Sequence, residues 1–366
     1  MEKIIKYKNT NSPFYRELRK RVNKYFKDNE ISKHANFNMV LKSLFMISLY
    51  FIPFFLIITS IQSTWAIILM WVFMGFGMSG IGLSIMHDAN HEAYSKHSYV
   101  NKILGKMICL IGGSDLNWRI QHNVLHHTYT NVEGMDEDID SGILFRLSPN
   151  QKLMWGHRFQ HLYAYFLYGF MTIMWITTKD YVQYARYKKR GLLKTQRTHN
   201  KYSLIKLLGI KKVYLLITLF LPITFSSLPW WGTLLCFFMM HFIAGLTLAL
   251  IFQPAHVIPT STFETPDLEG EINGCWASNQ MRNTANFAPK ARLFSWFVGG
   301  LNFQIEHHLF PNICHVHYRK ISKIIKEVAL EYNLPYYTHK SFYSALIEHA
   351  RMLYNLGTKK DAPALH

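Results

Sequence analysis

The chain has 366 residues, of which 49% are hydrophobic and 15% aromatic, and this composition excludes an intrinsically disordered protein. Lys and Arg (40) outnumber Asp and Glu (22), and the formal charge of +18 favours nucleic acid or an anionic membrane surface as partner. The apolar residues fall into blocks near the roughly 20 residues that cross a bilayer, which favours a membrane protein and excludes nucleic-acid binding. The four cysteines form no CxxC pair, which excludes a zinc ribbon.

The amino-terminal segment, residues 1–38, is polar and basic, and we expect it in the cytoplasm. Within residues 13–28 the apolar positions recur every four residues among many Lys and Arg, which predicts an amphipathic helix. Those positions are Phe14, Leu18, Val22 and Phe26. The helix either lies on an anionic lipid surface or docks on its own domain, and the pattern does not decide between the two.

Two apolar blocks follow, at residues 39–60 and 64–86, and each is long enough to span a bilayer. The link between them, Ile61 to Ser63, carries no Lys or Arg, whereas the segment before them carries many. The positive-inside rule therefore predicts a cytoplasmic amino terminus and an outside link. The second block then returns the chain to the cytoplasmic side at His87.

Three histidine stretches follow: HDANH, HNVLHH and QIEHH. On a helix, residues four apart share a face and adjacent residues flank it, so each stretch can aim two or three imidazoles at one point. Together the stretches predict a shared metal centre. Their histidines are His87, His91, His122, His126, His127, His307 and His308. Because one metal ion takes about four to six ligands, this surplus favours two metals.

Three later blocks are also apolar, at residues 161–178, 213–230 and 231–252. If all three crossed the membrane, the third histidine stretch would lie on the opposite side from the first two, which a shared site forbids. The segment Lys179 to Lys212 is strongly basic and belongs in the cytoplasm, so residues 161–178 are predicted to lie along the interface. The fold prediction is therefore an all-α membrane protein with four transmembrane helices, both termini being cytoplasmic.

Further residues are candidates for the metal centre. His256, at the cytoplasmic end of the last predicted span, is a candidate eighth ligand, and Gln304 stands three residues before His307, where another ligand or a water-mediated contact would fit. Nearby carboxylates are candidates to accept the second ring N–H of ligating histidines: Asp88, Asp136, Glu137, Asp138, Asp140 and Glu306. Solvated loop positions are the alternative for each of these acids.

Basic residues near the predicted interface are candidates for substrate binding. His157 and His161 stand four apart, and either a headgroup contact, a structural role or metal ligation would suit them. Arg119 and Arg158 are candidates to hold a phosphate of the substrate, with lipid contact as the alternative.

The last part of the chain, residues 318–366, is predicted to form cytoplasmic helices. Residues 316–332 alternate isoleucines with lysines at helical spacing, Pro335 ends that segment, and residues 341–355 predict one more helix. Residues 39–317 then form a single membrane domain.

The three stretches resemble the histidine boxes HxxxH, HxxxHH and QxxHH of the membrane-bound fatty acid desaturase superfamily. Glutamine opening the last box, within GGLNFQIEHHLFP, resembles the front-end acyl desaturases and their sphingolipid-desaturase relatives. The resemblance extends from about Phe45 to His317. It implies a non-haem di-iron centre in a cytoplasmic helical cap over four spans, with the box histidines as iron ligands and His256 matching an additional ligand after the last span.

The resemblance also implies the reaction: dioxygen and two external electrons convert two adjacent methylenes of an acyl-CoA or acyl-lipid into a cis double bond. The sequence has no HPGG haem motif and little chain before its first span, so we expect the electrons from a separate cytochrome b5-like protein or ferredoxin with its reductase. The segment Lys179 to Lys212 is a candidate docking surface, with orientation by the positive-inside rule as the alternative.

Two alternatives stay open. A di-iron lipid hydroxylase of the same superfamily would share the histidine boxes, and a haem- or metal-carrying membrane protein would also place histidines on helices. Haem or transported metal would favour ligands inside the spans, whereas these stretches begin beside the predicted spans. A bacterial cell membrane is the favoured location, with the endoplasmic reticulum as the alternative.

Overall fold

The computed structural model describes residues 5–140, 142–196 and 200–358, and these form two compact units, each mostly helical. We call residues 35–120 and 165–250 the apolar-helix unit. We call residues 5–34, 121–164 and 251–358 the histidine unit. Residues 141 and 197–199, which fall within these ranges, lie outside the described residues.

Three helices in the described part of the chain are long and apolar enough to cross a bilayer: Phe37–Thr59, Thr64–Asn90 and Trp230–His256. They contain or closely match the predicted blocks 39–60, 64–86 and 231–252. The side chain of Asn36 caps the first of them by accepting a hydrogen bond from the backbone N–H of Met39.

The second of these helices runs past the predicted end at Met86 to Asn90, through a π-helical turn at Ile81–Met86. Hydropathy falls at His87, but the backbone stays helical through Asn90, and His87 is buried. The first histidine stretch therefore occupies the last turn of an apolar helix.

The predicted span 213–230 falls on a helical segment that ends at Phe225, five residues early. A turn at residues 226–229 then precedes Trp230. This segment begins at Asn200 and has three parts: Asn200–Leu215, a π-helical Leu216–Phe220, and Leu221–Phe225.

The segment predicted to lie along the interface, residues 161–178, is helical but broken. Its parts are Gln160–Tyr168, Met171–Met174 and a π-helical Trp175–Lys179. The other helices of the apolar-helix unit are Ser98–Gly105, Met107–Leu110, Asp115–Trp118, Asp180–Lys189 and the 3-10 turn Leu192–Gln196.

Glycines allow two close helix contacts in the apolar-helix unit. A Cβ on Gly77 would lie 2.6 Å from the backbone nitrogen of Tyr50, and one on Gly245 would lie 2.6 Å from the carbonyl oxygen of Gly169. Both distances are shorter than any side chain allows, so glycine is what lets these backbones approach.

The histidine unit combines helices with two short parallel strand pairs. Lys6–Tyr7 pairs with Glu271–Ile272, and Ala285–Phe287 pairs with Tyr337–His339. Its helices are Pro13–Asp28, Trp276–Arg282, Arg292–Phe297, Gln304–Leu309, Tyr318–Glu331 and Phe342–Thr358, with 3-10 turns at Trp155–Phe159 and His315–His317.

The amino-terminal helix, Pro13–Asp28, has the bounds that its sequence periodicity predicts, with Ser12 as its cap. Its apolar face does not lie open to lipid. Phe14, Leu18 and Val22 are buried in one core with residues of the Tyr318–Glu331 helix, among them Ile325. Of the two alternatives for this helix, the structure has the docked one.

The carboxy-terminal helix, Phe342–Thr358, is held by buried polar contacts. The guanidinium of Arg146 donates to the carbonyl oxygen of Leu356 at 2.8 Å, and a ring nitrogen of His349 lies 2.8 Å from the carbonyl oxygen of Val257. Residues 359–366 of the predicted carboxy-terminal segment lie outside the described residues.

Candidate metal centre

The second histidine stretch lies on a π-helical segment, Arg119–His126. In a π-turn the backbone bonds join residues five apart, and here the N–H of His127 donates to the carbonyl of His122 at 3.0 Å. Residues five apart therefore face the same way. The Nε2 atoms of these two histidines lie 3.2 Å from each other.

Histidines from three parts of the histidine unit converge. The Nε2 atom of His127 lies 2.9 Å from Nε2 of His307, which comes from the third stretch. Ring nitrogens of His126, His256 and His308 lie within 4.8 Å of one another, as do those of His127, His307 and His308. His256 is the last residue of the Trp230–His256 helix, so it reaches the cluster from the end of an apolar helix.

Four of these rings are oriented by an oxygen at Nδ1. His126 faces Asp136 at 3.1 Å, His256 the carbonyl of Asn283 at 2.9 Å, His308 the side-chain oxygen of Gln280 at 2.7 Å, and His307 the hydroxyl of Tyr318 at 3.3 Å. The carboxylate, the carbonyl and the amide oxygen can only accept, so Nδ1 of His126, His256 and His308 carries a hydrogen and Nε2 is the nitrogen left for a metal ion. This is the tautomer that binds metals through Nε2. The hydroxyl of Tyr318 can donate or accept, so it orients the ring of His307 without fixing its tautomer.

The donor set fits a metal ion. Each of these histidines is less than one-tenth exposed, and the Nε2 atom of His256 is buried without a hydrogen-bond partner in the described part of the chain. Nitrogen lone pairs that face one another at about 3 Å repel unless a cation or proton lies between them. Neutral imidazoles suit iron, zinc, copper and nickel.

The electrostatics at His126 agree with a cation at this point. Burial lowers the pKa of its imidazole, but the carboxylates of Asp136 and Asp138 outweigh burial and raise the pKa to about 9. The metal-free ring is therefore protonated at neutral pH, and a metal ion at Nε2 would replace that proton.

Asp136 is itself held in place. Its carboxylate accepts the backbone N–H groups of Asn131 at 2.9 Å and of Asp138 at 3.0 Å. Asn131 has a positive φ of 57°, a conformation that asparagine tolerates better than most residues, and its side chain donates to the carbonyl of His256 at 3.0 Å. One residue thus links the orientation of two histidines.

Two further sequence candidates lie beside the cluster. Asp138 accepts a hydrogen bond from Gln121, and its carboxylate lies 3.4 Å from Nδ1 of His126. Gln304 is buried, and its side-chain nitrogen has no hydrogen-bond partner among the described residues. Glu306 lies next to His307 in sequence. Burial raises its pKa and hydrogen bonds from Tyr336 and Asn286 lower it, and the net result is a pKa of about 7.

The first histidine stretch lies in the apolar-helix unit. The rings of His87 and His91 are 4.9 Å apart, and Trp118 packs edge-on against both, at 5.6 Å and 5.8 Å. The carboxylate of Asp88 lies 3.9 Å from Nδ1 of His87.

The remaining sequence candidates have other contacts. Both ring nitrogens of His157 meet backbone groups, those of Met154 and Ile143, and the ring of His161 packs on Tyr354. The Arg158 guanidinium lies 5.4 Å from the ring centre of Trp155, and Arg119 pairs with Asp115 at 3.3 Å. In the described part of the chain, neither His157 nor His161 belongs to the groups of potential metal ligands.

Sequence reasoning did not single out Gln280, Asn283, Asn131 or Tyr318. One signal was present for two of them: in the segment ASNQMRN, Asn279, Gln280 and Asn283 lie at helical spacing, and all three are buried. A polar face on a helix that packs inward indicates a network that orients other groups. Asp136 was only one of several acids in a charged loop.

A buried histidine cluster, with one member at the end of a membrane-length helix, is typical of a membrane metalloenzyme. Comparison with known proteins defines the class further. The chain belongs to the fatty acid desaturase family, whose model, described as "Fatty acid desaturase", matches residues 63–340. It is therefore an oxidoreductase of the acyl desaturase class.

Three relatives illustrate the similarity. The chain is 34% identical to the sn-1 linoleoyl-lipid 6-desaturase of Arthrospira platensis, over 96% of this chain and 95% of that protein. It is 34% identical to the acyl-lipid (8-3)-desaturase of Physcomitrium patens, over 95% and 72%. It is 30% identical to the Delta(5) fatty acid desaturase A of Dictyostelium discoideum, over 96% and 76%.

Proposed function

We propose that this protein introduces a cis double bond into a membrane acyl-lipid, with a non-haem di-iron centre, dioxygen and two electrons from an external donor. The observation that carries the proposal is the convergence of six buried histidines in the histidine unit, four of them with Nδ1 held by an oxygen. The family assignment supplies the reaction class.

The proposed ligands are the box histidines and the histidine at the end of the last apolar helix. They are His87, His91, His122, His126, His127, His256, His307 and His308. One metal ion takes about four to six ligands, and eight imidazoles exceed that number, which supports two ions. The assignment of His87 and His91 rests on the box pattern of the family.

Two iron ions held there would supply the redox capacity that activates dioxygen toward an unactivated C–H bond. The protein's own part is to fix the rings. Asp136, Gln280 and the carbonyl of Asn283 hold the Nδ1 protons, so each Nε2 presents its lone pair without rearrangement. Burial of the cluster excludes bulk water, which protects reactive species from side reactions.

We propose an acyl-lipid, rather than acyl-CoA, as substrate, with the new bond on the carboxyl side of an existing one. The support comes from the names of the relatives, which include a linoleoyl-lipid 6-desaturase and an acyl-lipid (8-3)-desaturase. The glutamine of the third box points to the same branch.

The proposed topology has four spans, with both termini and the metal centre in the cytoplasm. The second and third histidine stretches lie 2.9 Å apart at His127 and His307, so the chain between them crosses the membrane an even number of times. The Trp230–His256 helix accounts for one crossing. We assign the other crossing to the segment that ends at Phe225, with the lysines before Val213 at its cytoplasmic end.

The remaining proposals follow from the topology and the reaction. Residues 1–38 and 318–366 flank a membrane domain at 39–317, with 161–178 along the interface. The electron donor is a cytochrome b5-like protein or a ferredoxin with its reductase. The bacterial cell membrane is the proposed location.

The test is expression in a desaturase-deficient host, followed by mass spectrometry of the lipids and metal analysis of the purified protein. We expect an acyl product two mass units lighter and about two irons per chain, both lost in His126→Ala and His307→Ala. A product sixteen units heavier would make the protein a hydroxylase. One haem per chain, or no iron in an active preparation, would contradict the proposed centre.

A further inference from the structure

A cavity of about 710 Å³ opens in the histidine unit between the amino-terminal segment and the Trp276–Arg282 helix. Its lining is mostly polar and includes the aromatic rings of Tyr15, Tyr129 and Trp276. The indole of Trp276 is partly exposed and packs edge-on against Tyr15, with ring centres 5.1 Å apart. Among the described residues, no histidine lines this cavity, which is separate from the proposed metal centre.

The base of this cavity is bonded to the histidine cluster. The indole N–H of Trp276 donates to the carbonyl oxygen of His127 at 2.8 Å, and the side chain of Gln280 donates to the same oxygen at 3.3 Å. The ring of His127 lies at the centre of the cluster, beside those of His122 and His307. A partly exposed aromatic ring is therefore one hydrogen bond from the backbone of a proposed metal ligand.

The charges at the cavity have one sign. Its charged lining residues are Lys6, Arg16, Arg19 and Lys20, all cations. Three of them project from the exposed side of the amino-terminal helix. Lys6 is held by Glu271 at 3.2 Å, and Lys20 has a loose contact of 3.9 Å with Glu17, so the rim keeps a net positive charge. Solvated cations around an aromatic base favour a large acidic partner that charge can steer.

We propose that this cavity is the docking site of an acidic one-electron carrier protein, and that electrons enter through Trp276 toward His127. The inference rests on the proposed function, which needs two electrons from outside. In the balanced reaction two methylenes lose two hydrogens, and dioxygen takes these with two further electrons and two protons to give two waters. Each electron is given up by one reduced carrier molecule, which is thereby oxidised, and the two electrons arrive in succession.

A lipid headgroup fits the same cavity less well. Binding a phosphate tightly takes a cation that is partly withdrawn from water and fixed in geometry. Arg16, Arg19 and Lys20 are exposed, and the side chain of Lys6 is 65% exposed. The base of the cavity leads to the metal ligands, which an electron donor needs and a headgroup does not.

The docking is tested by charge reversal on the holoenzyme in neutral-lipid nanodiscs. Arg16→Glu with Arg19→Glu is compared with Lys323→Glu and Lys326→Glu, which change net charge equally at exposed positions of the Tyr318–Glu331 helix. The probes are reduced soluble cytochrome b5 and reduced plant-type ferredoxin, followed by stopped-flow absorbance. We expect the cavity pair to slow oxidation of the carrier at least tenfold at low salt, with the difference shrinking in 0.5 M salt.

Turnover driven by dithionite and methyl viologen separates docking from chemistry. We expect it to be unchanged in both charge-reversal pairs, because these small reductants need no docking site. Equal carrier oxidation in the two pairs would overturn the proposal, as would a selective loss in Lys188→Glu with Lys189→Glu. A raised KM for acyl-lipid with unchanged carrier oxidation would make the cavity a headgroup site. Absence of wild-type desaturation with the chemical reductant would instead defeat the proposed function.

Trp276→Phe tests the electron path. This change keeps an aromatic ring but removes the hydrogen bond to His127, so we expect the limiting rate of carrier oxidation at saturation to fall while the carrier concentration at half-saturation stays constant. Trp155→Phe, at an exposed tryptophan away from the cavity, is the matched control. An unchanged limiting rate in a protein with wild-type thermal stability would overturn the role of Trp276.

Discussion

Asp136 illustrates how one residue orients the centre. Both of its carboxylate oxygens lie 3.1 Å from Nδ1 of His126, and two backbone N–H groups fix the carboxylate. Asp138, two residues on, is farther from the same nitrogen, at 3.4 Å, and is one-third exposed. The two acids are close in sequence but differ in how closely they contact His126, so a substitution at Asp138 is a matched control for one at Asp136.

We predict that Asp136→Asn weakens metal binding about 10- to 100-fold, as loss of a partner that orients a ligand does elsewhere. The amide keeps one oxygen for the backbone but loses the charge that favours a cation at His126. The measurement is titration of the metal-free protein with Co²⁺, read from ligand-field absorbance. Asp138→Asn should change the affinity less than threefold, and equal losses in the two variants would contradict this assignment.

At the residue scale the sequence singles out the histidines of the cluster but not the residues that orient them. The histidines can be recognised in the sequence because paired imidazoles at helical spacing, next to a predicted membrane span, have few functions other than metal binding. Gln280, Asn131 and Tyr318 are ordinary residue types, and their roles exist only once distant segments meet. Asp136 could not be told from the other acids of its loop before the backbone that holds it was known.

At the scale of elements, the spacing of apolar residues predicts where a helix begins and ends but not which helix it packs against. The amino-terminal helix has the predicted range, residues 13–28, yet its pattern suits lipid and protein equally. In the structure Leu18 is fully buried against the Tyr318–Glu331 helix, and Arg21 reaches Glu331 on that helix at 2.6 Å. The partner helix is some 300 residues away in sequence, so the local pattern of residues 13–28 cannot identify it.

We predict that Leu18→Ala lowers the free energy of unfolding by about 2–5 kcal/mol, because it leaves a cavity in a packed core. The measurement is thermal inactivation in detergent, together with the rate of tryptic cleavage within residues 13–28. Lys24→Ala, at an exposed position of the same helix, should change neither by much. If the helix were held by lipid instead, Leu18→Ala would leave stability in detergent unchanged.

The carboxy-terminal helix gives a second test at this scale. A Cβ on Gly357 would lie 2.0 Å from the carbonyl oxygen of His157, whereas one on Gly209 meets nothing within 4 Å. We predict that Gly357→Ala destabilises the protein by about 1–3 kcal/mol through overpacking. Gly209→Ala should raise stability by up to about 1 kcal/mol through helix propensity. Thermal unfolding of both variants measures the difference, and the same sign for both would contradict it.

For the whole molecule, membrane topology is the feature that neither hydropathy nor helix length decides alone. Three helices meet both criteria, but three crossings would place the third histidine stretch opposite the second, against their 2.9 Å contact. Within the apolar-helix unit, the hydroxyl of Ser227 donates to the carbonyl of Gln62 at 3.1 Å. The turn before Trp230 and the link after Thr59 therefore lie at the same end of that unit, which agrees with a fourth crossing.

Single cysteines in a background without the four native ones test this topology. We predict that Ser63→Cys and Ser227→Cys react with a membrane-impermeant maleimide on intact cells, because both positions are exposed and lie in the two uncharged turns that the proposed topology places outside. Lys24→Cys and Lys188→Cys, exposed and within basic segments, should react only after permeabilisation. Protection of Ser227→Cys on intact cells would show that residues 213–230 do not cross. The histidines of the second and third stretches would then need another crossing, for which the broken helix at residues 160–179 is the remaining apolar segment.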